Sequence, residues 1–276
     1  WVWGGGWLAQ LGELDFAGGT VVHILSGVSA LTAAIIIGPR YEHLKKKHTP
    51  HNVVLFLIGA STLWFGWFGF NAGSALGANE VTALAFANTQ VAAAAGGLCW
   101  LLIEWKVRKR PTLVGAATGA IAGLVGITPA AGFVTVPSAI IIGLLSAPVS
   151  YYGINFIKEK FKYDDTLDAF GVHGLAGIWG SIATGIFATT SVNPAGNDGL
   201  LYGNPEMVVH QFVGVATAII LGVVGTFIIL KVVKLFVPLR VTQEEELMGL
   251  DISLHEERAY SSTFHPLEIP SDSHVS

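Results

Sequence analysis

Seven apolar stretches alternate with shorter polar segments along this chain. Each is about 20 residues long or longer, the length that a helix needs to cross the hydrocarbon core of a bilayer. They cover residues 17–39, 53–74, 80–105, 112–130, 134–157, 168–190 and 207–238. The pattern predicts an all-α membrane protein, a polytopic transmembrane helix bundle of seven spans over 1–238. A polar cytoplasmic tail is expected over 239–276.

The positive charges lie on one side of these predicted spans. The segments that connect spans two to three, four to five and six to seven contain no Lys or Arg. Lysines and arginines follow spans one, three, five and seven: Arg40, Lys45, Lys46, Lys47, Lys106, Arg108, Lys109, Arg110, Lys158, Lys160, Lys162, Lys231, Lys234 and Arg240. This asymmetry predicts a multi-pass plasma-membrane protein with the N-terminal end of the chain outside and the C-terminus in the cytoplasm.

Composition supports the membrane class. Hydrophobic residues make up 52% of the 276 positions and charged residues only 12%, whereas soluble domains carry about 25% charged residues. The single cysteine, Cys99, excludes an intramolecular disulfide framework. The chain begins with WVWGGGWL rather than with Met, which suggests a fragment that lacks its N-terminal part.

Two histidines interrupt the apolar pattern. His23 lies in DFAGGTVVHILSGVSAL and His173 in DAFGVHGLAGIWGSI. A titratable side chain at membrane depth is expensive and normally faces a cavity, a pathway or a partner. The two segments read alike but run in opposite directions, as in the inverted repeats of transporters. We expect one paired polar site; the alternative is two unrelated core histidines, each bonded to a nearby hydroxyl or carbonyl.

Other chemistries fit the sequence less well. A zinc site needs at least three protein ligands, and no third His, Cys or carboxylate lies at the depth of the histidines, so neither a metal nor a cofactor is expected. A membrane hydrolase would need a serine–histidine–aspartate set, which is missing. A retinal-type receptor would need a lysine in the middle of a span. We therefore expect that the protein is not an enzyme and binds no nucleic acid.

An aromatic stripe precedes the outer end of span two. Trp67, Phe70 and Ser74 fall at positions i, i+3 and i+7, on one face of a helix. Such a stripe is usually packing. Together with Trp3, which is also predicted at the outer surface, the rings and the hydroxyl are suited to receive a small cation through cation–π attraction and hydrogen bonding.

An aspartate precedes each histidine on the same segment. Asp15 lies eight residues before His23, and Asp168 lies five residues before His173. A carboxylate near a helix start accepts hydrogen bonds from free backbone N–H groups, and capping is the role expected for both. Asp15 is also placed to stabilise a cation that arrives from outside.

Several of these segments resemble a known family. WVWGGG, DFAGGTVVHI, GWFGFNAGSA, ANTQVAAAAG, AIAGLVGITPA and DAFGVHGLAGIWG are similar to the ammonium transporters (Amt/Mep/Rh), and specifically to their bacterial or archaeal Amt branch. The resemblance runs from residue 1 to about residue 260. It implies an eleven-helix inverted-repeat fold, of which this chain would supply helices five to eleven.

The resemblance also implies roles for the outer residues. Trp3 and Ser74 would recruit ammonium at the outer vestibule, with Asp15 supporting that region. Phe70 would be one of two stacked phenylalanines that gate the pore, and Trp67 would line its wall. The other gate phenylalanine belongs to an earlier helix, and no residue of this chain corresponds to it.

The remaining roles concern the pore and its regulation. His23 and His173 would be twin histidines that share a hydrogen bond in an apolar conduction path, and Asp168 matches an acidic residue on the second histidine's helix. The family forms homotrimers with one pore per subunit. Its cytoplasmic tail responds to P-II type regulatory proteins through an HGE-x-AY pattern, in which Glu256 here replaces glycine.

The sequence thus predicts transmembrane transport of ammonium or ammonia, in the context of nitrogen metabolism. An NH4+ ion in a dry apolar pore carries a very large desolvation cost, whereas neutral NH3 carries much less. We expect NH4+ to bind at the vestibule and lose its proton, NH3 to pass the histidines, and the pair to relay the proton. The alternative is a seven-span ammonium sensor or receptor without transport, which would need a signalling domain beyond residue 240.

Overall fold

The computed structural model describes residues 1–41 and 50–257, and these residues form helices and connecting turns without any strand. The helices are α1 (Trp7–Leu11), α2 (Gly19–Ile37), α3 (Val53–Gly73), α4 (Glu80–Arg108), α5 (Leu113–Ile127), α6 (Val136–Lys158), α7 (Phe170–Phe187), α8 (Glu206–Val233), α9 (Gln243–Met248) and α10 (Leu250–His255). One further turn, Glu159–Phe161, continues α6, and a short 3-10 turn, Leu200–Tyr202, precedes α8.

Six of the seven predicted spans are confirmed as helices that are long and apolar enough to cross a membrane, namely α2, α3, α4, α6, α7 and α8. The fourth predicted span, 112–130, is wrong in its length. Helix α5 has 15 residues, which is about 22 Å at 1.5 Å per residue. The chain then enters a turn at Thr128, and this turn is buried among the other helices, which its small apolar residues permit.

Glycine and alanine set the spacing of α4, α5 and α6. A Cβ atom at Gly96 of α4 would collide with the backbone of Gly119 in α5, and a Cβ at Gly123 or Gly143 would collide with the backbone of Ala92 in α4. Helices in lipid gain no hydrophobic attraction from one another, so close backbone contact supplies dispersion energy instead. These three helices therefore form a tightly packed base beneath the histidine-bearing helices.

Helices α2 and α7, which carry the two histidines, pack against each other in opposite directions. Thr20 of α2 lies beside Ser181 of α7, and further along α2 a Cβ added at Gly27 would meet the backbone of Gly174. Residue numbers that rise in α2 therefore meet numbers that fall in α7. The opposite orientation expected for the two histidine segments is present in the fold.

The polar tail is fastened to the segments that follow α2 and α6. Arg40 donates to Asp164 from Nε and Nη2, both at 2.7 Å. Glu246 of α9 accepts from the backbone N–H of Tyr41 at 2.6 Å and from Nη2 of Arg240 at 2.8 Å. Charge-assisted and bidentate bonds of this kind hold a defined geometry, so α9 has a fixed position beside these segments.

The described part of the tail ends just after α10. Glu256 follows this helix with φ of 54°, in the left-handed region, where a residue with a Cβ is disfavoured by about 1–2 kcal/mol relative to glycine. A glycine, as in the family's HGE-x-AY pattern, would suit this backbone angle, and glutamate occupies it here. Arg258, Ala259 and Tyr260 lie outside the described residues.

We predict that Gly27→Ala destabilises the bundle, because its new methyl group would overlap the backbone of Gly174 and push α2 away from α7. Overpacking of this kind costs about 1–3 kcal/mol, which corresponds to a Tm about 5 °C lower. Thermal denaturation of the detergent-solubilised protein measures this shift. The matched control is Gly225→Ala in α8, where no atom lies within 4 Å of the added Cβ; an equal loss in both variants would contradict the prediction.

Candidate functional site

A groove runs along α2 and α3 and ends at α7. It encloses about 820 Å³, and we call it the histidine groove. Its walls are apolar apart from two imidazoles and two hydroxyls. The lining residues are Val22, His23, Ser26, Gly59, Thr62, Leu63, Gly66, Trp67, Phe70 and His173.

The two histidines meet inside this groove. Nδ1 of His23 lies 3.2 Å from Nδ1 of His173, and the ring centroids are 5.3 Å apart with planes inclined at 32°. His23 is 3% exposed, so its imidazole has lost almost all contact with solvent. The residues are 150 positions apart in the sequence, and the antiparallel packing of α2 and α7 brings them together.

Thr128 fixes the protons of this pair. Its hydroxyl donates to the carbonyl oxygen of Leu124 at 2.8 Å and accepts from the indole N–H of Trp67 at 3.0 Å. Nε2 of His23 lies 3.3 Å from the same oxygen. A hydroxyl has one proton to donate, so His23 must be the donor from Nε2. In neutral His23 the other ring nitrogen, Nδ1, is then unprotonated. It accepts a hydrogen bond from Nδ1–H of His173.

Aromatic rings cover the pair on the α3 side. The indole of Trp67 stacks on the imidazole of His23 with centroids 5.1 Å apart and an interplanar angle of 17°. The ring centroid of Phe70 lies 5.8 Å from that of His23 and 5.6 Å from that of Trp67. Both rings come from one face of α3, as their spacing of three residues predicts. The π-electron faces of the rings provide a surface that attracts cations without offering hydrogen-bond acceptors.

The other polar groups of the groove are satisfied within their own helices. Ser26 donates to the carbonyl oxygen of His23 at 3.1 Å, and Thr62 donates to that of Ile58 at 2.9 Å. Their hydroxyl protons are therefore directed at backbone rather than into the groove. The imidazole pair is left as the polar element among the lining side chains that can exchange protons.

Both histidines lie in π-helical turns, over Gly19–Ile24 and Phe170–Leu175, and an aspartate caps each turn. Asp15 accepts from the backbone N–H groups of Gly18, Gly19, Thr20 and Val21 at 2.9, 2.7, 2.8 and 3.3 Å. Burial raises the pKa of Asp15, and these N–H donors act against that rise by stabilising the ionised form. The capping role expected for Asp15 is present.

The capping role expected for Asp168 is wrong. Asp165 caps the second turn, because its two oxygens accept from the backbone N–H groups of Ala169 and Phe170, each at 3.0 Å. Asp168 has φ of 53°, and its carboxylate lies 2.7 Å from Nζ of Lys158 at the end of α6. The left-handed backbone directs the Asp168 side chain away from the helix start and toward that lysine.

The residues predicted to recruit ammonium lie in two separate parts of the structure, one before α2 and one at the end of α3. Trp3 is 51% exposed, and its indole N–H donates to the carbonyl oxygen of Asp15 at 2.8 Å. Ser74 follows the last residue of α3, and its hydroxyl donates to the carbonyl oxygen of Phe70 at 2.8 Å. The structure thus joins Trp3 to Asp15, and Ser74 to Phe70.

Sequence reasoning missed three residues near the site: Thr128, Asp165 and Glu13. Thr128 ends the apolar stretch before Pro129, where a threonine is unremarkable. Asp165 stands in the series DDTLD, so a cap was detectable but its position was ambiguous. Glu13 precedes α2 in a polar segment with no visible partner. Among the residues that the structure describes, no three His, Cys, Asp or Glu side chains are grouped to hold a metal ion.

These features define a multi-pass helical membrane protein with an imidazole pair in an apolar groove. The sequence profile of the Ammonium Transporter Family matches residues 1–260, and the chain belongs to this family. The expected resemblance, including its bacterial or archaeal branch, is confirmed by the relatives described next.

The ammonium transporter of Bacillus subtilis (strain 168) is 54% identical over 263 residues, covering 95% of this chain and 65% of that protein. Ammonium transporter Amt1 of Archaeoglobus fulgidus is 51% identical over 261 residues, covering 95% and 66%. A solved structure named Sensor Amt Protein is 36% identical with a TM-score of 0.83, covering 92% of this chain and 65% of that one. The chain thus spans slightly less than two thirds of the length of these relatives.

We predict that Thr128→Val loosens the imidazole pair. Valine keeps the volume but removes the acceptor for Trp67 and His23, and each buried donor left unpaired costs about 1–3 kcal/mol. The Tm should fall, and the exchange-protected Nε2–H signal of His23 should be lost from nitrogen-15 spectra of the imidazoles. Thr118→Val is the control, since its hydroxyl donates within α5 to Val114. Retention of the signal in Thr128→Val would contradict the tautomer assignment.

Proposed function

We propose that the protein containing this chain transports ammonium or ammonia across the plasma membrane. The observation that supports this most directly is the His23–His173 pair, the polar break in a groove whose other lining is apolar or satisfied by its own backbone. A buried pair of neutral imidazoles has no evident use in packing, because two apolar residues would fill the space at lower desolvation cost. It is suited to passing a small polar molecule that carries or sheds a proton.

The proposed recruitment site lies outside this pair. Trp3 and Ser74 would receive NH4+ at the outer vestibule. Asp15 would act through its charge, because its oxygens are engaged by the start of α2. Phe70 would gate the entrance, and Trp67, stacked on His23, would form the wall beside it.

Desolvation favours transfer of NH3 rather than NH4+ through the groove. NH4+ would transfer its proton to the histidine pair, and NH3 would then move past the imidazoles. In the neutral pair Nε2 of His173 is bare and accepts an added proton. The proton on Nδ1 of His173 then moves to Nδ1 of His23, so that one added proton is shared by the pair. Asp168 and Lys158 would set the charge at the inner end of α7.

The whole protein would have the orientation and partners expected from the sequence. The N-terminal end of this chain would lie outside and the C-terminus in the cytoplasm, since the lysines and arginines follow alternate spans. Residues 1–238 would form the transport domain within the lipid bilayer, and 239–276 a cytoplasmic regulatory tail. A homotrimer and a P-II type protein at the tail are the proposed partners.

An ammonium sensor without transport is the second candidate, favoured by the likeness to the structure named Sensor Amt Protein. Transport is the stronger proposal because the groove contains a proton-exchanging pair, which recognition alone does not require. The two functions differ in a measurable way. A transporter carries current or labelled substrate through the membrane, whereas a pure sensor binds ammonium with neither.

We predict that replacing both His23 and His173 by leucine in the full protein abolishes ammonium-evoked current, because the shared proton has no carrier. Currents are recorded on solid-supported membranes with reconstituted protein. Val224→Leu in α8, which is exposed and outside the groove, is the control and should retain the current. Unchanged current in the double variant would contradict the proton relay, and absence of current in the unaltered protein despite ammonium binding would favour the sensor.

A further inference from the structure

Glu13 is a buried carboxyl group that the proposed pathway does not use. It lies between α1 and α2, and its side chain is 5% exposed. Oε1 accepts a hydrogen bond from the hydroxyl of Thr20 in α2 at 2.8 Å. The Thr20 hydroxyl lies 3.4 Å from that of Ser181 in α7. Glu13 is therefore joined through one threonine to both histidine-bearing helices.

The surroundings hold in place the segment that carries this carboxyl. It lies directly against Gly214 of α8, where any Cβ would overlap it. The next residue, Leu14, exchanges two backbone hydrogen bonds with the side chain of Gln211, each at 2.8 Å. Gln211 also donates to the carbonyl oxygen of Ser181 at 2.9 Å. The segment around Glu13 is thus clamped to α7 and α8, and the close fit at Gly214 leaves no space for a larger neighbour.

Nothing in this clamp neutralises a negative charge on Glu13. Oε2 is buried and has no hydrogen-bond partner among the described residues. On its own segment the neighbouring charge is Asp15, which repels it. The helices around Glu13 present neutral hydroxyls and histidines. Thr20 and, one turn further along, His23 lie on α2, and Ser181 lies on α7. His210 of α8 lies close to Gly12.

An ionised carboxylate in such a site is expensive, because a buried charge without a partner costs several kcal/mol. Burial accordingly raises the pKa of Glu13 to about 7, and the bond from Thr20 opposes the rise only in part. Protonation removes the charge while Oε1 still accepts from Thr20. The buried site therefore favours the carboxylic acid over the carboxylate in mildly acidic surroundings.

We propose that Glu13 is a proton-binding positioning residue, which in its neutral form ties α2 to α7 through Thr20 and Ser181 and thereby holds the His23–His173 pair in register. Loss of the proton places a second negative charge beside Asp15. The bond from Thr20 strengthens on ionisation, but the cost of burying the charge is larger than this gain. The carboxylate is therefore drawn toward water and away from Thr20, and the tie is released. The proton-binding part stands by itself, whereas the effect on conduction rests on the proposed transport function.

The sign of the pH dependence follows from the raised pKa. The folded protein binds the Glu13 proton more tightly than the unfolded chain does, so the stabilisation is complete below the ordinary value of 4.5 and is lost as the pH rises through about 7. Glu13→Gln keeps an oxygen for Thr20 and cannot ionise, so the variant should lack this loss. Glu80→Gln is the matched control, because Glu80 is exposed at the start of α4.

The first experiment measures the proton itself by infrared difference spectroscopy on the full protein in lipid. A protonated carboxylic acid has a carbonyl-stretch band that a carboxylate lacks. We expect such a band at about pH 6, its loss by about pH 8.5, its absence in Glu13→Gln and its retention in Glu80→Gln. A spectrum that is identical in Glu13→Gln and the unaltered protein would overturn the proposal.

The second experiment measures conduction as ammonium-evoked current between about pH 6 and about pH 8, where ammonium remains almost entirely NH4+. Across one pH unit on each side of the pKa the ionised fraction rises from about one tenth to about nine tenths. We expect the current of the unaltered protein and of Glu80→Gln to fall about fivefold or more over this range, and that of Glu13→Gln to stay nearly constant. Parallel profiles in all three proteins would overturn the link to the histidine pair.

The two experiments separate this proposal from the proposed function. If the unaltered protein carries no current, transport fails and with it the conduction part of the inference. The infrared titration still decides whether Glu13 binds the proton. Thermal denaturation adds a third readout: the Tm difference between Glu13→Gln and the unaltered protein should grow as the pH rises through about 7, and a constant difference would contradict the release of the tie.

Discussion

The close approach of α2 and α7 is the constraint on which the rest of the site depends. The helices touch through backbone at Gly27 and Gly174, and only at that separation does the 3.2 Å contact between the two Nδ1 atoms form. The rings of α3 cover the pair because Trp67 reaches Thr128, and Thr128 in turn reaches His23.

Desolvation explains why the imidazole of His23 has a polar partner at both of its ring nitrogens. A polar side chain in an apolar groove must be held by specific partners or it becomes a source of disorder. His23 therefore has Thr128 at one ring nitrogen and His173 at the other. The helices that carry the pair begin at carboxylates, Asp15 and Asp165, which satisfy N–H groups that a helix start leaves unpaired. Rigid helix starts keep the ring positions defined.

Hydropathy and periodicity were sufficient for most of the fold and part of the site. Six spans follow from segment length, and the contact of Trp67 with Phe70 follows from helical spacing. The end of α5 at Ile127 was not predictable, because the turn after it is as small and apolar as a helix and differs only in being enclosed by protein. Asp165 was confused with Asp168 because the cap depends on a backbone angle rather than on residue type.

Tertiary proximity explains the remaining failures. Thr128 is 105 positions from His23, and Ser181 is 161 positions from Thr20, so no local pattern links them. The pairing of the histidines themselves was predictable only because their flanking segments read alike. Where a residue has no such repeated context, as with Glu13, only the folded arrangement reveals what surrounds it.

The π-helical turns at the two histidines make the site sensitive to chain length. A π turn holds one residue more than the corresponding α turn, and both Gly19–Ile24 and Phe170–Leu175 adopt it. Removal of one residue from either turn would let it relax to α geometry and rotate the histidine relative to the remainder of its helix by about 100°. An imidazole would then face a neighbouring helix instead of its twin. Insertions and deletions should therefore be tolerated far less in these two turns than side-chain exchanges around them.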